Sequence, residues 1–185
     1  MSGERFVLVA LAGLPGTGKS TLARLLAKEL GALLLDKDEV RSALFGGHVA
    51  YTAGQDDFVM DVIYRTAEHA ARSGSVPCAV IDGRTYARRE QVEALVAYSE
   101  RAGFDLRLIE CTCEPDLARE RLRQAHELGQ HPAADREPRL YDRLAARAEP
   151  LDLPRLTLDT SAEPPEALAR RALDYVRNRR SNGSR

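Results

Sequence analysis

The sequence lacks any long apolar run, and it has few cysteines and almost no net charge. No stretch of its 185 residues approaches the ~18 consecutive apolar residues that a membrane helix needs, so we do not expect a membrane protein. A formal net charge of −1 provides no general attraction to long polynucleotides. The first residues lead directly into an apolar run that the first motif requires, so we predict no removable signal peptide and expect a cytoplasmic protein.

The three cysteines are an odd number, and two of them alternate along one predicted strand. Cys111 and Cys113 are two residues apart, so their side chains are expected on the same face of that strand. No second cysteine pair or histidine cluster completes a zinc set. We therefore favour buried free thiols over a metal site.

Apolar runs alternate with amphipathic segments along the chain. Five apolar runs predict strands at 6–12, 32–35, 76–81, 106–111 and 156–159. Helical spacing and capping residues predict helices at 20–30, in a short stretch capped by Asp38, and at 56–72, 88–101, 115–128, 139–148 and 164–178. This alternation is typical of α/β folds in which helices cover both faces of a parallel sheet, here of five strands.

The length and the 44% hydrophobic content suit one globular domain. We place this domain at 1–178, with a polar C-terminal tail at 179–185. Residues 129–138 are polar and contain two prolines, so they are the best candidate for a mobile flap, within a lid around 119–139.

The segment after the first predicted strand carries a phosphate-binding pattern. The motif G-x-x-x-x-G-K-[ST] is met by Gly13, Gly18, Lys19 and Ser20, with a strand before it and a helix after it. Glycines let the backbone turn its N–H groups towards phosphates, and the helix N-terminus adds a positive dipole end. Lys19 is predicted to bridge the β- and γ-phosphates and Ser20 to bind Mg²⁺. The predicted ATP-binding residues are Gly13, Pro15, Gly16, Thr17, Gly18, Lys19, Ser20 and Thr21.

Acidic residues follow the second and third predicted strands. Ligands bind at the carboxyl ends of parallel strands, so these residues are expected beside the phosphate loop. A carboxylate near a triphosphate either holds Mg²⁺ or accepts a proton from an attacking hydroxyl. We predict Asp38 as the general base and Asp82 as an Mg²⁺ residue, with Asp36 as a further candidate for Mg²⁺. The alternatives are a helix cap for Asp38 and a turn residue for Asp82.

Arginines near these carboxylates are candidates for binding the acceptor or the transition state. Arg41 follows Asp38 by three residues, on the same helical face, and Arg84 follows Asp82 by two. An arginine beside a transferring phosphoryl group stabilises the charge that spreads over it. The helix after residue 115 carries three more arginines, Arg119, Arg121 and Arg123. They cannot all face one way, so at least one is expected to be a solvated charge.

Four segments resemble those of small P-loop kinases: GLPGTGKST (13–21), DKDEVR (36–41), IDGRTYARR (81–89) and CEPDLARERL (113–122). Together they resemble AAA_33-type proteins related to the kinase module of phage polynucleotide 5′-hydroxyl kinases, and also zeta toxin, gluconate kinase and chloramphenicol phosphotransferase-like proteins. The resemblance implies a three-layer P-loop NTPase fold of the nucleoside/nucleotide-kinase kind. It implies a general base at Asp38, an acceptor-positioning arginine at Arg41, and lid arginines four residues apart, a spacing that Arg119 and Arg123 meet.

These features predict an ATP-dependent kinase that transfers the γ-phosphoryl group to a hydroxyl of a small molecule. Asp38, Arg41 and Arg84 form the predicted acceptor site, and the predicted catalytic residues are Lys19, Asp38, Arg41, Arg119 and Arg123. Four nearby side chains either line the acceptor pocket or belong to a surface loop: His48, Tyr51, Thr52 and Gln55.

Three alternative functions stay open: a polynucleotide 5′-hydroxyl kinase, a nucleoside monophosphate kinase and a non-catalytic nucleotide-binding switch. The near-neutral charge disfavours the first, because binding to a polynucleotide depends on phosphate neutralisation. The pair Asp36 and Asp38 disfavours the second, because it would repel an acceptor phosphate.

Overall fold

The first strand, β1 (Val7–Ala12), is apolar throughout and buried on both faces, as expected for a central strand of a parallel sheet. It belongs to a computed structural model that describes residues 5–128 and 139–178. Within those ranges the sheet contains four more strands: β2 (Leu33–Asp36), β3 (Cys78–Asp82), β4 (Asp105–Thr112) and β5 (Leu156–Asp159). All neighbouring strands pair in parallel, in the order β2-β3-β1-β4-β5. The predicted five-stranded parallel sheet is confirmed.

The described helices are α1 (Lys19–Leu30), α2 (Lys37–Phe45), α3 (Ala53–Ser73), α4 (Arg89–Ala102), α5 (Pro115–Glu127), α6 (Arg139–Ala145) and α7 (Pro165–Arg177), with a 3-10 turn at Gly46–His48. Alternate residues of β1 point into two separate cores. Val9 and Leu11 pack with α1 and α7, whereas Leu8 and Ala10 pack with α3 and α4. Helices therefore cover both faces of the sheet. None of the described helices is both long and apolar enough to cross a membrane.

The start of α2 differs from the prediction. Asp36, and not Asp38, caps this helix, because its Oδ1 accepts hydrogen bonds from the backbone N–H groups of Asp38 and Glu39 at 2.9 and 3.3 Å. Strand β2 continues to Asp36, which pairs with Asp82 of β3, so the helix begins at the next residue. Asp38 therefore lies in the first turn of the helix.

The other element boundaries agree with the prediction to within a few residues. Cys78 and Cys111 are buried free thiols, and Cys113 is a half-buried one. The predicted tail at 179–185 and the central part of the predicted lid, 129–138, lie outside the described residues.

Candidate functional site

The loop between β1 and α1 bends sharply at glycines with positive φ. The φ angle is 130° at Gly13, 79° at Gly16 and 82° at Gly18. A β-carbon on Gly13 would lie 2.2 Å from the carbonyl oxygen of Cys111, and one on Gly16 would lie 2.5 Å from that of Ala118. Neither position can therefore carry a side chain. Gly18 is the N-cap of α1, so the unpaired N–H groups of the first turn face this loop.

Lys19 is held by the loop that it follows. Its Nζ donates a hydrogen bond of 2.7 Å to the carbonyl oxygen of Leu14, and the hydroxyl of Thr17 donates one of 2.8 Å to the same oxygen. Lys19 is buried, with 7% of its surface exposed. A lysine at a helix N-terminus suits the binding of a phosphate chain, because its charge and the N–H groups of the first turn both attract anions.

A cavity of about 470 Å³, called here the nucleotide cavity, opens beside this loop. Its size lies in the range of small-molecule sites. On one side it is lined by residues of the predicted ATP site, namely Gly16, Gly18, Lys19, Ser20 and Thr21. On the other side it is lined by Arg121, Leu122 and Ala125 of α5, by Thr160 and Glu163, and by Pro165 and Leu168 of α7.

Arg121 connects α5 with the phosphate loop. Its Nη1 donates to the carbonyl oxygen of Gly16 at 3.3 Å and to Oγ1 of Thr160 at 2.8 Å, and its Nη2 donates to the carbonyl oxygen of Thr160 at 3.1 Å. The hydroxyl of Thr160 donates to the carbonyl oxygen of Thr17 at 3.2 Å. Sequence reasoning missed Thr160, although it directly follows β5, the same signal that identified Asp36 and Asp82.

Arg119 and Arg123 lie on the exposed side of α5. Arg119 forms a two-pronged contact with Asp142 of α6, with Nε and Nη2 at 3.1 and 2.8 Å from Oδ1. Arg123 bonds to Glu120 and Glu127, each at 2.7 Å. Neither arginine lines the nucleotide cavity. Of the three arginines on this helix, Arg121 is the one that faces the phosphate loop in the described part of the chain.

Two carboxylates meet at the carboxyl ends of neighbouring strands. Asp36 is 7% exposed and Asp82 is 1% exposed. Burial raises the pKa of Asp36 to about 6, and the nearby carboxylate of Asp82 adds to this effect. Oδ1 of Asp82 is buried without a hydrogen-bond partner among the described residues. Close carboxylates with an unsatisfied oxygen fit a divalent cation such as Mg²⁺, and Asp36 shares the lining of the nucleotide cavity with Ser20 of the phosphate loop.

The charge of Asp36 is expected to destabilise the metal-free protein. Its folded pKa of about 6 exceeds the usual 3.8, so between these values the folded state binds more protons and stability falls as pH rises. Asn keeps the helix cap without the charge. We expect Asp36→Asn to make the free energy of unfolding depend less on pH and to raise it at pH 7 by about 1–3 kcal/mol. Urea unfolding from pH 4 to 7 measures both effects.

The matched control is Asp61→Asn, since Asp61 has an exposed side chain on α3. It should keep the wild-type dependence on pH. An unchanged pH slope in Asp36→Asn would show that Asp36 titrates in the folded protein as it does in the unfolded chain.

A second cavity, of about 330 Å³ and called here the acceptor cavity, is lined by residues of α2, α3, α6 and the loop after β3. The structure brings Asp38, Arg41 and Arg84 together in its lining. Lys19 also lines this cavity. The two cavities therefore share one cationic residue, Lys19.

The carboxylate of Asp38 is held by Arg41, whose Nη1 donates to its Oδ1 at 3.1 Å. Arg41 is 3% exposed, and its Nη2 contacts Asp56 of α3. Lys37 also contacts Asp56, at 3.2 Å. The ring centroid of Tyr51 lies 5.2 Å from the guanidinium carbon of Arg41. Tyr51 was one of the four candidate lining residues, whereas sequence reasoning missed Asp56.

Main-chain contacts connect the loop after β3 with the rest of the site. The backbone N–H of Gly13 donates to the carbonyl oxygen of Thr85 at 3.0 Å. Gly83 has a φ of 87°, and a β-carbon there would lie 2.8 Å from Cβ of Lys37. Arg84 is 9% exposed, and its Nη2 lies 3.5 Å from Asp57. The loop that carries Arg84 is thus fixed against both the phosphate loop and α2.

Known proteins show the same architecture. A candidate kinase from Chloroflexus aurantiacus is 25% identical, with a TM-score of 0.75 over 93% of this chain and 99% of that one. The APS kinase of Mycobacterium tuberculosis in complex with AMPPNP and APS is 18% identical, with a TM-score of 0.70 over 94% and 99% of the two chains. A gluconokinase from Sinorhizobium meliloti is 16% identical, with a TM-score of 0.65 over 94% and 93%.

Sequence comparison gives the family. No curated protein matches this chain in sequence. The family model AAA_33, described as an AAA domain, matches residues 8–151, which is more than half of the chain. The matched region includes the phosphate loop, both aspartates at the strand ends and the acceptor-cavity residues up to Arg147. The chain therefore belongs to the AAA_33 family of AAA domains and is a small P-loop kinase-like protein.

Proposed function

We propose that this protein is an ATP-dependent kinase that transfers the γ-phosphoryl group to a hydroxyl of a small-molecule acceptor. The observation that carries this proposal is the position of Lys19, which lines both cavities. A triphosphate in the phosphate loop would present its last phosphate at this ammonium group, next to the cavity that contains Asp38. A nucleotide-dependent switch needs only the first cavity, whereas a kinase needs both.

In the proposed reaction the acceptor hydroxyl lies beside Asp38, which takes its proton. The hydroxyl oxygen forms a bond to the γ-phosphorus, the bond from this phosphorus to the β,γ-bridging oxygen breaks, and ADP leaves. Arg41 orients the carboxylate of Asp38 through their hydrogen bond of 3.1 Å. Lys19 and the N–H groups of the loop stabilise negative charge on the phosphates.

Ser20 and Asp82, together with Asp36, would hold Mg²⁺. The buried, unpartnered Oδ1 of Asp82 supports this assignment. Bound Mg²⁺ supplies positive charge that offsets the charge of the β- and γ-phosphates. Asp36 lines the nucleotide cavity, so its carboxylate lies on the side of the site where the phosphates are proposed to bind.

The solved relatives support a site for two substrates. The Mycobacterium tuberculosis structure, which has the same fold, is that of an APS kinase in complex with AMPPNP and APS. A nucleotide cavity and an acceptor cavity that share Lys19 suit the same pair of roles here. At 18% identity the two chains share the fold, and the acceptor class of this chain is inferred from its own residues.

Arg121 is expected to matter more for ATP binding than its neighbours on α5. Arg121→Ala removes three hydrogen bonds that hold Thr160 and the loop carbonyl of Gly16. We expect the dissociation constant of Mg-ATP, measured by calorimetry, to rise by about 10–100-fold. The matched control is Arg123→Ala, which removes only contacts within the exposed face of α5.

The catalytic role of Arg119 and Arg123 stays a prediction, and the variants Arg119→Ala and Arg123→Ala test it. If either arginine acts on the transition state, its alanine variant lowers the single-turnover rate and keeps the affinity for ATP. A rise in the ATP dissociation constant that is larger for Arg123→Ala than for Arg121→Ala would contradict our assignment of Arg121 to the nucleotide cavity.

One assay tests the proposed function. ADP release from Mg-ATP is measured with panels of small alcohols, nucleoside monophosphates and oligonucleotides that carry a 5′-hydroxyl group. We expect release above the water background with one or more small alcohols. Release with nucleoside monophosphates or oligonucleotides alone would contradict the acceptor class, and tight ATP binding without any transfer would favour a switch.

A further inference from the structure

The acceptor cavity has an excess of positive charge. Its lining contains two acidic residues, Asp38 and Asp56, and the cationic residues Lys19, Lys37, Arg41, Arg84, Arg88 and Arg147. The two carboxylates are already engaged, because Arg41 contacts both and Lys37 contacts Asp56. Lys19 is assigned to the triphosphate. The remaining positive charge of the lining belongs to three arginines.

Among the residues that the structure describes, these three arginines have weak partners or none. Nη2 of Arg84 lies 3.5 Å from Asp57, whose side chain is 72% exposed. Arg88 contacts Glu90 at 2.8 Å, but both side chains are more than half exposed, so solvent screens the pair. Arg147 makes no ion pair within the described residues. We call Arg84, Arg88 and Arg147 the arginine cluster.

Arg84 gives the most direct indication that the acceptor cavity binds an anion. Only 9% of its surface is exposed, and its Nε has no hydrogen-bond partner within the described residues. A buried guanidinium with an unsatisfied N–H carries a desolvation cost that a bound anion would remove. The planar fork of an arginine matches a phosphate, sulfate or carboxylate group better than it matches neutral hydroxyls.

The segments that carry the arginine cluster are bonded to each other. The backbone N–H of Glu149 donates to the carbonyl oxygen of Ala87 at 2.9 Å, and the N–H of Arg89 donates to the Glu149 carboxylate at 2.5 Å. These bonds hold the segment after α6, with Arg147, against the loop that carries Arg84 and Arg88. The cluster is therefore a structured part of the lining.

We infer that the acceptor carries an oxyanion group, a phosphate, sulfate or carboxylate, which the arginine cluster binds while the hydroxyl to be phosphorylated lies beside Asp38. This inference rests on the proposed kinase function and adds the substrate class. Asp38 belongs to α2, whereas the cluster belongs to the β3–α4 loop and the segment after α6. An anion bound at these arginines is paired with positive charge, which offsets its repulsion by Asp38.

Matched pairs of alcohols test the inference. Glycerol is compared with glycerol 3-phosphate, ribose with ribose 5-phosphate, and glucose with gluconate, and kcat/KM is measured by ADP release. For a pair that is phosphorylated, we expect about 100-fold higher kcat/KM for the anionic member. If kcat/KM is equal or higher for the neutral member, the inference is overturned, whereas the kinase proposal stands. The phosphate and carboxylate pairs show which oxyanion the cluster prefers.

Arg147→Ala and Arg143→Ala form a matched set of variants. Both residues are exposed and come from α6 or the segment after it, but only Arg147 lines the acceptor cavity. We expect Arg147→Ala to lower kcat/KM for the anionic acceptor by about 10-fold or more and to leave that for its neutral partner unchanged. Arg143→Ala should change neither. Equal effects of the two substitutions would overturn the role of Arg147.

Sulfate binding provides a test that needs no turnover. The protein is saturated with Mg-AMPPNP to occupy the phosphate loop, and sulfate is titrated by calorimetry. We expect sulfate to bind, and Arg147→Ala to weaken its binding by about 10-fold. Absence of sulfate binding overturns the inference, even if no acceptor in the panel is phosphorylated. Failure to bind AMPPNP would instead contradict the proposed function.

Discussion

Replacing Asp38 with Asn is expected to lower kcat for phosphoryl transfer by about 10²–10⁴-fold while the affinity for Mg-ATP stays unchanged. The amide has nearly the shape of the carboxylate, and its oxygen can still accept the hydrogen bond that Arg41 donates to Asp38. It cannot take a proton from the acceptor hydroxyl. Single-turnover transfer to the acceptor found in the panel measures the loss, and calorimetry measures ATP binding.

Asp61→Asn is the control for this substitution, because Asp61 has an exposed side chain on α3 and lines neither cavity. Its transfer rate should equal that of the wild type. Full turnover in Asp38→Asn would remove the general-base assignment, although the nucleotide site would stand. If Asp38→Asn lost ATP affinity as well as transfer rate, the main role of Asp38 would be to hold Lys37 and Arg41 in position.

Lys19→Ala is expected to abolish detectable transfer and to weaken Mg-ATP binding by about 100-fold. Lys19 is buried and lines both cavities, so its removal takes a positive charge away from the proposed phosphate site in a place that solvent screens poorly. Calorimetry gives the dissociation constant, and ADP release gives the rate. Because the substitution also removes the hydrogen bond to Leu14, thermal unfolding should accompany both measurements.

Lys28→Ala is the matched control, since Lys28 lies on the same helix but is exposed near its C-terminal end. It should leave ATP affinity and transfer unchanged. Wild-type ATP affinity in a folded Lys19→Ala protein would contradict the nucleotide site itself. The kinase proposal would then lose its main support.

Most of the fold could be predicted because the sequence pattern is strong at short range. The bounds of β5 were predicted to the residue, and the central strand β1 was predicted from an unbroken apolar run. The cap of α2 was assigned wrongly for a long-range reason. Asp36 ends its strand by pairing with Asp82, a partner far away in the sequence, and no local pattern distinguishes Asp36 from Asp38 as the cap.

The candidate site was predictable where it lies at strand ends and less so where helices fold back onto it. Asp56 and Arg147 enter the acceptor cavity from α3 and from the segment after α6, and their spacing in the sequence carries no sign of this. On α5 the helical period excluded a common direction for the three arginines but did not choose between them. Burial of Ala118 and Leu122 against Tyr141 sets the rotation of this helix, and Arg121 then faces the loop.

The hydrogen bond from Gly13 to Thr85 connects the phosphate loop to the loop that carries Arg84 and Arg88. It joins two main-chain groups, so exchanging the side chains of Arg84 or Arg88 leaves it available. The spacing between the phosphate loop and the loop after β3 therefore does not depend on which side chains the latter loop carries at Arg84 and Arg88. Related chains could therefore diversify in the compounds they modify, one side chain at a time, without rebuilding the machinery that delivers the phosphate.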